Sequence, residues 1–267
     1  VNTISIGNYS HVEGANTLAK ADCSHAEGGS TIAIGSISHA EGASTITVND
    51  GSHSEGAYTI ASGSFSHAEG YYAISSGSYS HAEGAYTQAI GNCSHTEGSS
   101  TITYSDFSHA EGVSTKTNAL YSHAEGGNSE TKGEGAHAEG SNTIASGSYS
   151  HAEGDSTISS GSCSHAEGYI AKSLGDYSHA EGFNTIAAGD YSHAEGASTL
   201  STGNYSHTEG GGTAAPGYFA EPVMRPRTPR EYLWSKSLGV IMQRAVSRDE
   251  NVRDFLRAIE RVYASNL

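Results

Sequence analysis

Bulky hydrophobic residues are what this 267-residue chain has least of. It holds one tryptophan and five phenylalanines, and its large aliphatic residues are sparse. A conventional globular core is hard to build from that supply. Alanine, serine, threonine and 34 glycines suit a narrow, tightly stacked interior instead. Basic residues are also scarce. Residues 1–212 carry four lysines and no arginine against 23 acidic residues, a charge of −19. Phosphate neutralisation needs Lys and Arg, so this part is a poor nucleic-acid binder. Residues 213–267 carry nine basic and six acidic residues, a charge of +3. That short basic segment reads as amphipathic helix rather than as a nucleic-acid patch. No apolar run approaches the ~18 residues of a transmembrane helix, and no signal peptide pattern is present. The chain opens on Val1 and then "NTISIG", already half a repeat, so a processed product or a fragment is expected.

Cysteine is limited to Cys23, Cys93 and Cys163, spaced 70 residues apart. All three take the place of Tyr in the hexapeptide "YSHAEG", as small fillers of one column. With turns stacked ~4.8 Å apart, neighbouring cysteines lie roughly 24 Å apart. A disulfide needs Cα atoms within ~7 Å, so none is expected within the chain.

What the sequence has in abundance is that hexapeptide. Its serine recurs at 10, 24, 38 and so on to 206, with Ala136 in one place, always 14 residues apart. Fifteen units without an insertion predict a solenoid. One unit, Gly140 to Glu153, reads G-S-N-T-I-A-S-G-S-Y-S-H-A-E. Two stretches alternate with period 2, Thr143–Ser146 and Ser150–Glu153, and glycines punctuate them. This predicts two short strands and two turns per unit, a flattened β-roll. Alternation points Thr143, Ala145, Ser150 and Ala152 inward and Ile144, Ser146, His151 and Glu153 outward. The glycine after Glu occurs in all fifteen units, consistent with a positive φ. The aromatic column (Tyr9, Phe65, Tyr79, Phe107, Tyr121, Tyr149) is expected to stack along one corner. The unit at 127–140, "GNSETKGEGAHAEG", departs most from consensus and is the expected weak point.

In phase and spacing, "SHAEG" and "TIASG" resemble the S-x-A-x-G strands of the YadA-type heads of trimeric adhesins. The SHAEG spelling resembles repeats of phage tail-fibre-like proteins, some followed by a self-cleaving chaperone domain. The resemblance covers about residues 2–212. It implies a left-handed, trimeric parallel β-roll. In those heads the outward pair of S-x-A-x-G is commonly aliphatic and packs around the threefold axis; here the pair is His and Glu. The membrane-anchor barrel and long coiled-coil stalk of a complete autotransporter are absent from the sequence, which favours a viral fibre over a bacterial surface adhesin.

All fifteen histidines sit in the hexapeptide, each two residues before a glutamate. Stacking then makes one column of His and one of Glu. Like charges ~4.8 Å apart cost about 3 kcal/mol per pair at an effective dielectric near 20, so the Glu column needs compensation. We expect a polar, hydrogen-bonded seam, exemplified by His11, Glu13, His25, Glu27, His81, Glu83, His151, Glu153, His193 and Glu195. In a trimer, each level would bring three such pairs to the axis. Glu neighbours are expected to raise the His pKa values, giving stability that fades as pH rises. His-x-Glu also puts two metal-ligand types on one face. His81, Glu83, His151 and Glu153 are the candidates, but structural sites rarely recur at fifteen levels, and no resident metal or cofactor is expected. Catalysis is excluded on geometry: Ser80 and His81 are adjacent on a strand and face opposite ways. An inward Thr column also argues against an ice-binding face. The other outward strip (Ile32/Ile34, Ile46/Val48, Lys116/Asn118, Glu130/Lys132, Lys172/Leu174) reads as a solvent face, though its isoleucines suit an interaction surface.

The repeat pattern is read as ending at Gly212. Residues 213–227 form a proline-rich linker or cap. Residues 228–267 read as two amphipathic helices, the first with Thr228, Pro229 and Glu231 as its start signal. The second presents Val252, Phe255, Leu256, Ile259, Val262 and Tyr263 as one stripe. Phe255, Leu256, Ile259, Val262 and Tyr263 are expected to pack in a trimerisation or docking module. The sequence thus predicts an all-β solenoid of about fifteen turns with a short helical end. It is expected to form a non-enzymatic homotrimer. Its expected partners are other virion or surface-structure proteins and a host receptor or glycan, with no nucleic acid and no membrane span.

Overall fold

The computed structural model describes residues 2–219. They form a parallel β-solenoid. Each 14-residue turn contributes one strand to each of two sheets, of 16 and 15 strands, in which every strand pairs with the equivalent strand of the next turn. Register never slips: His81 lies opposite His95, Ala82 opposite Thr96 and Glu83 opposite Glu97. No helix occurs among the described residues, so the two expected helices, with Phe255, Leu256, Ile259, Val262 and Tyr263, lie outside them.

The two predicted stretches become strands, each displaced from its expected bounds. The first contracts to a pair such as Ile144–Ala145. The second runs His151–Asp155 rather than Ser150–Glu153. The inward assignment holds: Thr143, Ala145 and Ala152 are fully buried, and Ser150 nearly so. The interior is therefore a file of Ala, Ser and Thr with no bulky side chain. Such a core buries little apolar area per residue, so stability depends on stacking. Amides donate from turn to turn, as His81 N–H to the Ser94 carbonyl at 2.9 Å and Ile60 N–H to the Ala73 carbonyl at 2.9 Å. Each turn contacts its neighbours only, which makes stability a sum of turn and interface terms.

Serine in the hexapeptide has a specific task. The Ser80 hydroxyl donates to the Gly77 carbonyl at 2.6 Å, and the same bond closes the corner in other turns, as Ser66 to Gly63 at 2.7 Å and Ser94 to Gly91 at 2.6 Å. Just outside that corner, an acidic or amide side chain reaches to the preceding turn. Asp106 Oδ1 accepts from Asn92 N–H at 2.7 Å, and Asp176 Oδ1 accepts from Ser162 N–H at 2.8 Å.

The reversals of the coil are held mostly by residues other than glycine, with Gly51, Gly135 and Gly212 the exceptions. Tyr79 and Tyr86 both have φ of 58°, and their columns hold left-handed residues in nearly every turn, including Ile37 and Ile170. This conformation costs a non-glycine residue roughly 1–2 kcal/mol. It is compensated by the ladder, since it aims Tyr79 N–H at the Ser64 carbonyl (2.9 Å) and Tyr86 N–H at the Tyr71 carbonyl (2.8 Å). The glycine after Glu lies inside the strand instead. Gly84 has φ of 112°, as expected, and a Cβ there would also collide with the carbonyl oxygen of Gly98 in the next turn. The aromatic corner column does stack: Phe65 on Tyr79 at 5.5 Å and Tyr177 on Tyr191 at 4.9 Å. The three cysteines in it are free and exposed, not packed fillers.

One boundary and the place of the weak unit differ from expectation. The coil does not stop at Gly212: Ala214–Ala215 pairs in register with Leu200–Ser201, and Phe219 takes the left-handed corner position with φ of 56°. The first seven residues of the expected linker are thus a further half-turn. The unit at 127–140 is regular. Glu130 there binds Lys132 at 2.9 Å and accepts from Asn118 Nδ2 at 2.9 Å. The irregularity sits earlier, where the strand shortens to His109–Ala110 and Val113 keeps only isolated bridges to Ser99 and Gly127.

Candidate functional site: the histidine–glutamate ladder

The 15-stranded sheet presents the histidines outward in one file. Successive imidazoles from His25 to His207 stack face to face, with centroids 4.5–4.9 Å apart, as in His81 on His95 (4.9 Å, planes 3° apart). His11, at the free end, meets His25 edge-on. This ladder follows from the register, since the inter-turn rise matches the stacking distance of flat rings.

The glutamates form a parallel file beside it. In ten turns Nε2 of the histidine lies 3.5–3.9 Å from Oε2 of the glutamate two residues on, among them His11–Glu13, His25–Glu27 and His193–Glu195. Those separations exceed the 2.7–3.2 Å of a hydrogen bond. The expected His–Glu hydrogen bonds are therefore not formed within one chain. The consequence is an unusual set of orphans: Nε2 of every histidine from His25 to His207 is withdrawn from solvent and has no hydrogen-bond partner. His81, Glu83, His151 and Glu153 belong to this same file, with His81, Glu83 and the next histidine, His95, offering ligand atoms within 4.8 Å of one another.

The expected direction of the histidine pKa values is overturned. Burial first, and the next imidazole in the stack second, push His81 and His151 below the ordinary value; the flanking glutamates pull upward and lose. The same balance holds from His25 to His193 in most turns. Charge counting along the sequence missed desolvation and the His–His repulsion that stacking imposes. On the carboxylate side, burial and its neighbours Glu111 and Glu139 push Glu125 up to about 6.

Three further features bear on function. Serine cannot serve the histidines: Ser80 is buried, and its hydroxyl is committed to the Gly77 carbonyl and Ser75. The threonine column is likewise interior, with Thr87 and Thr101 fully buried, so among the described residues it presents no array of the ice-binding kind to water. And one corner carries an exposed aromatic group the sequence reading passed over: Tyr58 stacks on Tyr72 at 4.7 Å, Tyr72 on Tyr86 at 5.4 Å, and Tyr71 stands edge-on to Tyr86 at 5.5 Å. Its signal was the spacing of tyrosines at 58, 72 and 86, one repeat apart. No protein-family model matches the chain, and no curated protein sequence is similar to it.

Proposed function

We propose that this chain is the shaft of a trimeric, non-enzymatic attachment fibre, of the viral tail- or head-fibre kind. The observation that carries the reading is the unbroken register from His11 to His207. Fourteen steps of ~4.8 Å make a straight rod roughly 70 Å long, with no insertion to interrupt it. Such an object holds two ends apart; it does not enclose a substrate.

Association in threes draws support from the ladder. Fourteen imidazole nitrogens without partners on one face are a cost, since buried polar groups are ordinarily satisfied. Neighbouring chains around a threefold axis would supply partners and fix the alignment of the chains. The inward Ser80 and Ala82 keep the phase of adhesin-head strands, which favours a bacterial surface passenger as the second reading. Neighbouring genes separate the two, virion components favouring the first and an anchor barrel the second. In either setting the Tyr58, Tyr71, Tyr72 and Tyr86 corner is the surface best suited to a receptor or glycan, and the segment beyond residue 219 would dock to the particle or cell surface.

Sedimentation equilibrium tests the assembly. Three chains of 27.5 kDa should give about 82 kDa, independent of dilution through the micromolar range. A stable monomer at those concentrations sinks the fibre reading.

A further inference from the structure

The orphaned nitrogens admit a second partner besides a neighbouring chain. A His–Glu separation of 3.5–3.9 Å is too long for a hydrogen bond, but close to what two ligands of one ion show. Bonds of ~2.05 Å to imidazole and ~2.1 Å to carboxylate at a tetrahedral angle place the two ligand atoms about 3.4 Å apart. The third ligand comes from the stack. His53, Glu55 and His67 offer one ligand atom each within 4.8 Å, as do His67, Glu69 and His81; His81, Glu83 and His95; His95, Glu97 and His109; and His109, Glu111 and His123.

We propose that the histidine–glutamate ladder is a binding array for divalent transition-metal ions of the zinc class, each ion held by two successive histidines and the glutamate between them. Neutral imidazole is the ligating form, and the ordinary histidine value near 6.5 leaves it available at about pH 7.5. Ion charge also relieves the Glu column, the repulsion that the sequence left uncompensated. The fourth position is open to water, as in sites with three protein ligands.

Repetition, which argued against a metal in the sequence, sets the stoichiometry instead. One Nε2 serves one ion, and consecutive groups share a histidine. The five consecutive groups from His53 to His123 therefore hold at most three ions, on His53/His67, His81/His95 and His109/His123. Alternate filling also keeps ions roughly 9.6 Å apart. Because stacked rings hold their nitrogen lone pairs in parallel planes, each pair must tilt inward on binding, and the stack becomes a row of dimers. The inference stands on the single chain and is independent of trimerisation.

The test is a Co2+ titration of the full, untagged chain at about pH 7.5, with the cysteines alkylated. All fifteen histidines lie in the ladder, so no other histidine contributes. The comparison variant, His67→Asn/His95→Asn/His123→Asn, leaves no two adjacent histidines between 53 and 123. Intense visible bands of low-coordinate Co2+ should appear and saturate at two equivalents more in the natural chain, whose fifteen histidines hold at most seven ions, than in the variant, whose remaining adjacent pairs (His11 to His53 and His137 to His207) hold at most five. A variant that binds as many equivalents overturns the proposal, as does a natural chain showing only the faint spectrum of hydrated Co2+. If circular dichroism shows the variant unfolded, the natural chain decides alone. Its bands should vanish on acidification to about pH 5, through the histidine range and above the ordinary carboxylate values. Bands that persist at that pH contradict histidine ligation.

Discussion

Two glycines in equivalent strands four turns apart distinguish a stacked solenoid from any looser arrangement of the repeat. Gly84 sits mid-strand with φ of 112°, and a Cβ there would strike the Gly98 carbonyl oxygen. Gly29 ends the equivalent strand four turns earlier in ordinary conformation, and its Cβ would meet nothing within 4 Å. Gly84→Ala therefore incurs two costs. The backbone conformation alone is worth roughly 1–2 kcal/mol or more for a residue with a Cβ. The clash with backbone adds a few kcal/mol, because neither side can yield without lengthening the inter-turn hydrogen bonds. A total of about 3–5 kcal/mol is expected, a fall in thermal midpoint of roughly 6–20 °C at 2–4 °C per kcal/mol. Gly29→Ala has neither cost and loses unfolded-state entropy, so it should be neutral or stabilising by up to about 1 kcal/mol. Other turns already carry alanine there, at Ala15, Ala43 and Ala85. The assay is thermal and urea unfolding of both variants beside the natural chain. Equal midpoints for the two would refute the stacking geometry.

The remaining predictions use the same coil. Ala82 is fully buried between the sheets, and Ala82→Leu should cost about 3 kcal/mol or more by overpacking, read as a lower urea midpoint; an unchanged midpoint would mean the interior is not closed. Ser80→Ala removes the bonds to Gly77 and Ser75 and should cost about 1–2 kcal/mol, within tolerance since Ala136 occupies the same column; unfolding energetics equal to the natural chain would count against the corner bond. The histidine values lie below those of the unfolded chain. Stability is therefore complete above the ordinary histidine value near 6.5 and is lost as pH falls through it and below. Glu125, raised to about 6, works the other way but is one group against many. The thermal midpoint should drop between about pH 7 and pH 5, and a rise over that interval would restore charged His–Glu pairing.

Much of this architecture is legible in the sequence. Spacing fixes the turn, and alternation places Thr143, Ala145 and Ala152 inside, because a two-sheet coil has only two faces to choose from. The corners are not legible, because they are held by residues such as Tyr79, Ile37 and Ser44. Their left-handed φ is dictated by the amide ladder between turns, which no single residue announces. The last half-turn was hidden for a different reason: Thr213, Ala215 and Phe219 keep the phase of the repeat, while Pro216 signals its end. At the ladder, the sequence correctly brought His81 and Glu83 onto one face. It misjudged the sign of the histidine shift because burial and ring stacking are properties of the assembled coil, not of the His-x-Glu triplet.

The central claim is a straight rod whose histidine–glutamate faces are its contact faces. Electron cryo-microscopy of the purified assembly tests it most directly. The account predicts three parallel coils, a shaft roughly 70 Å long, and the files of His81 and Glu83 turned toward the common axis. A shaft with the Ile32 and Ile46 strip at its axis and the histidines in water would contradict it, as would a field of single coils.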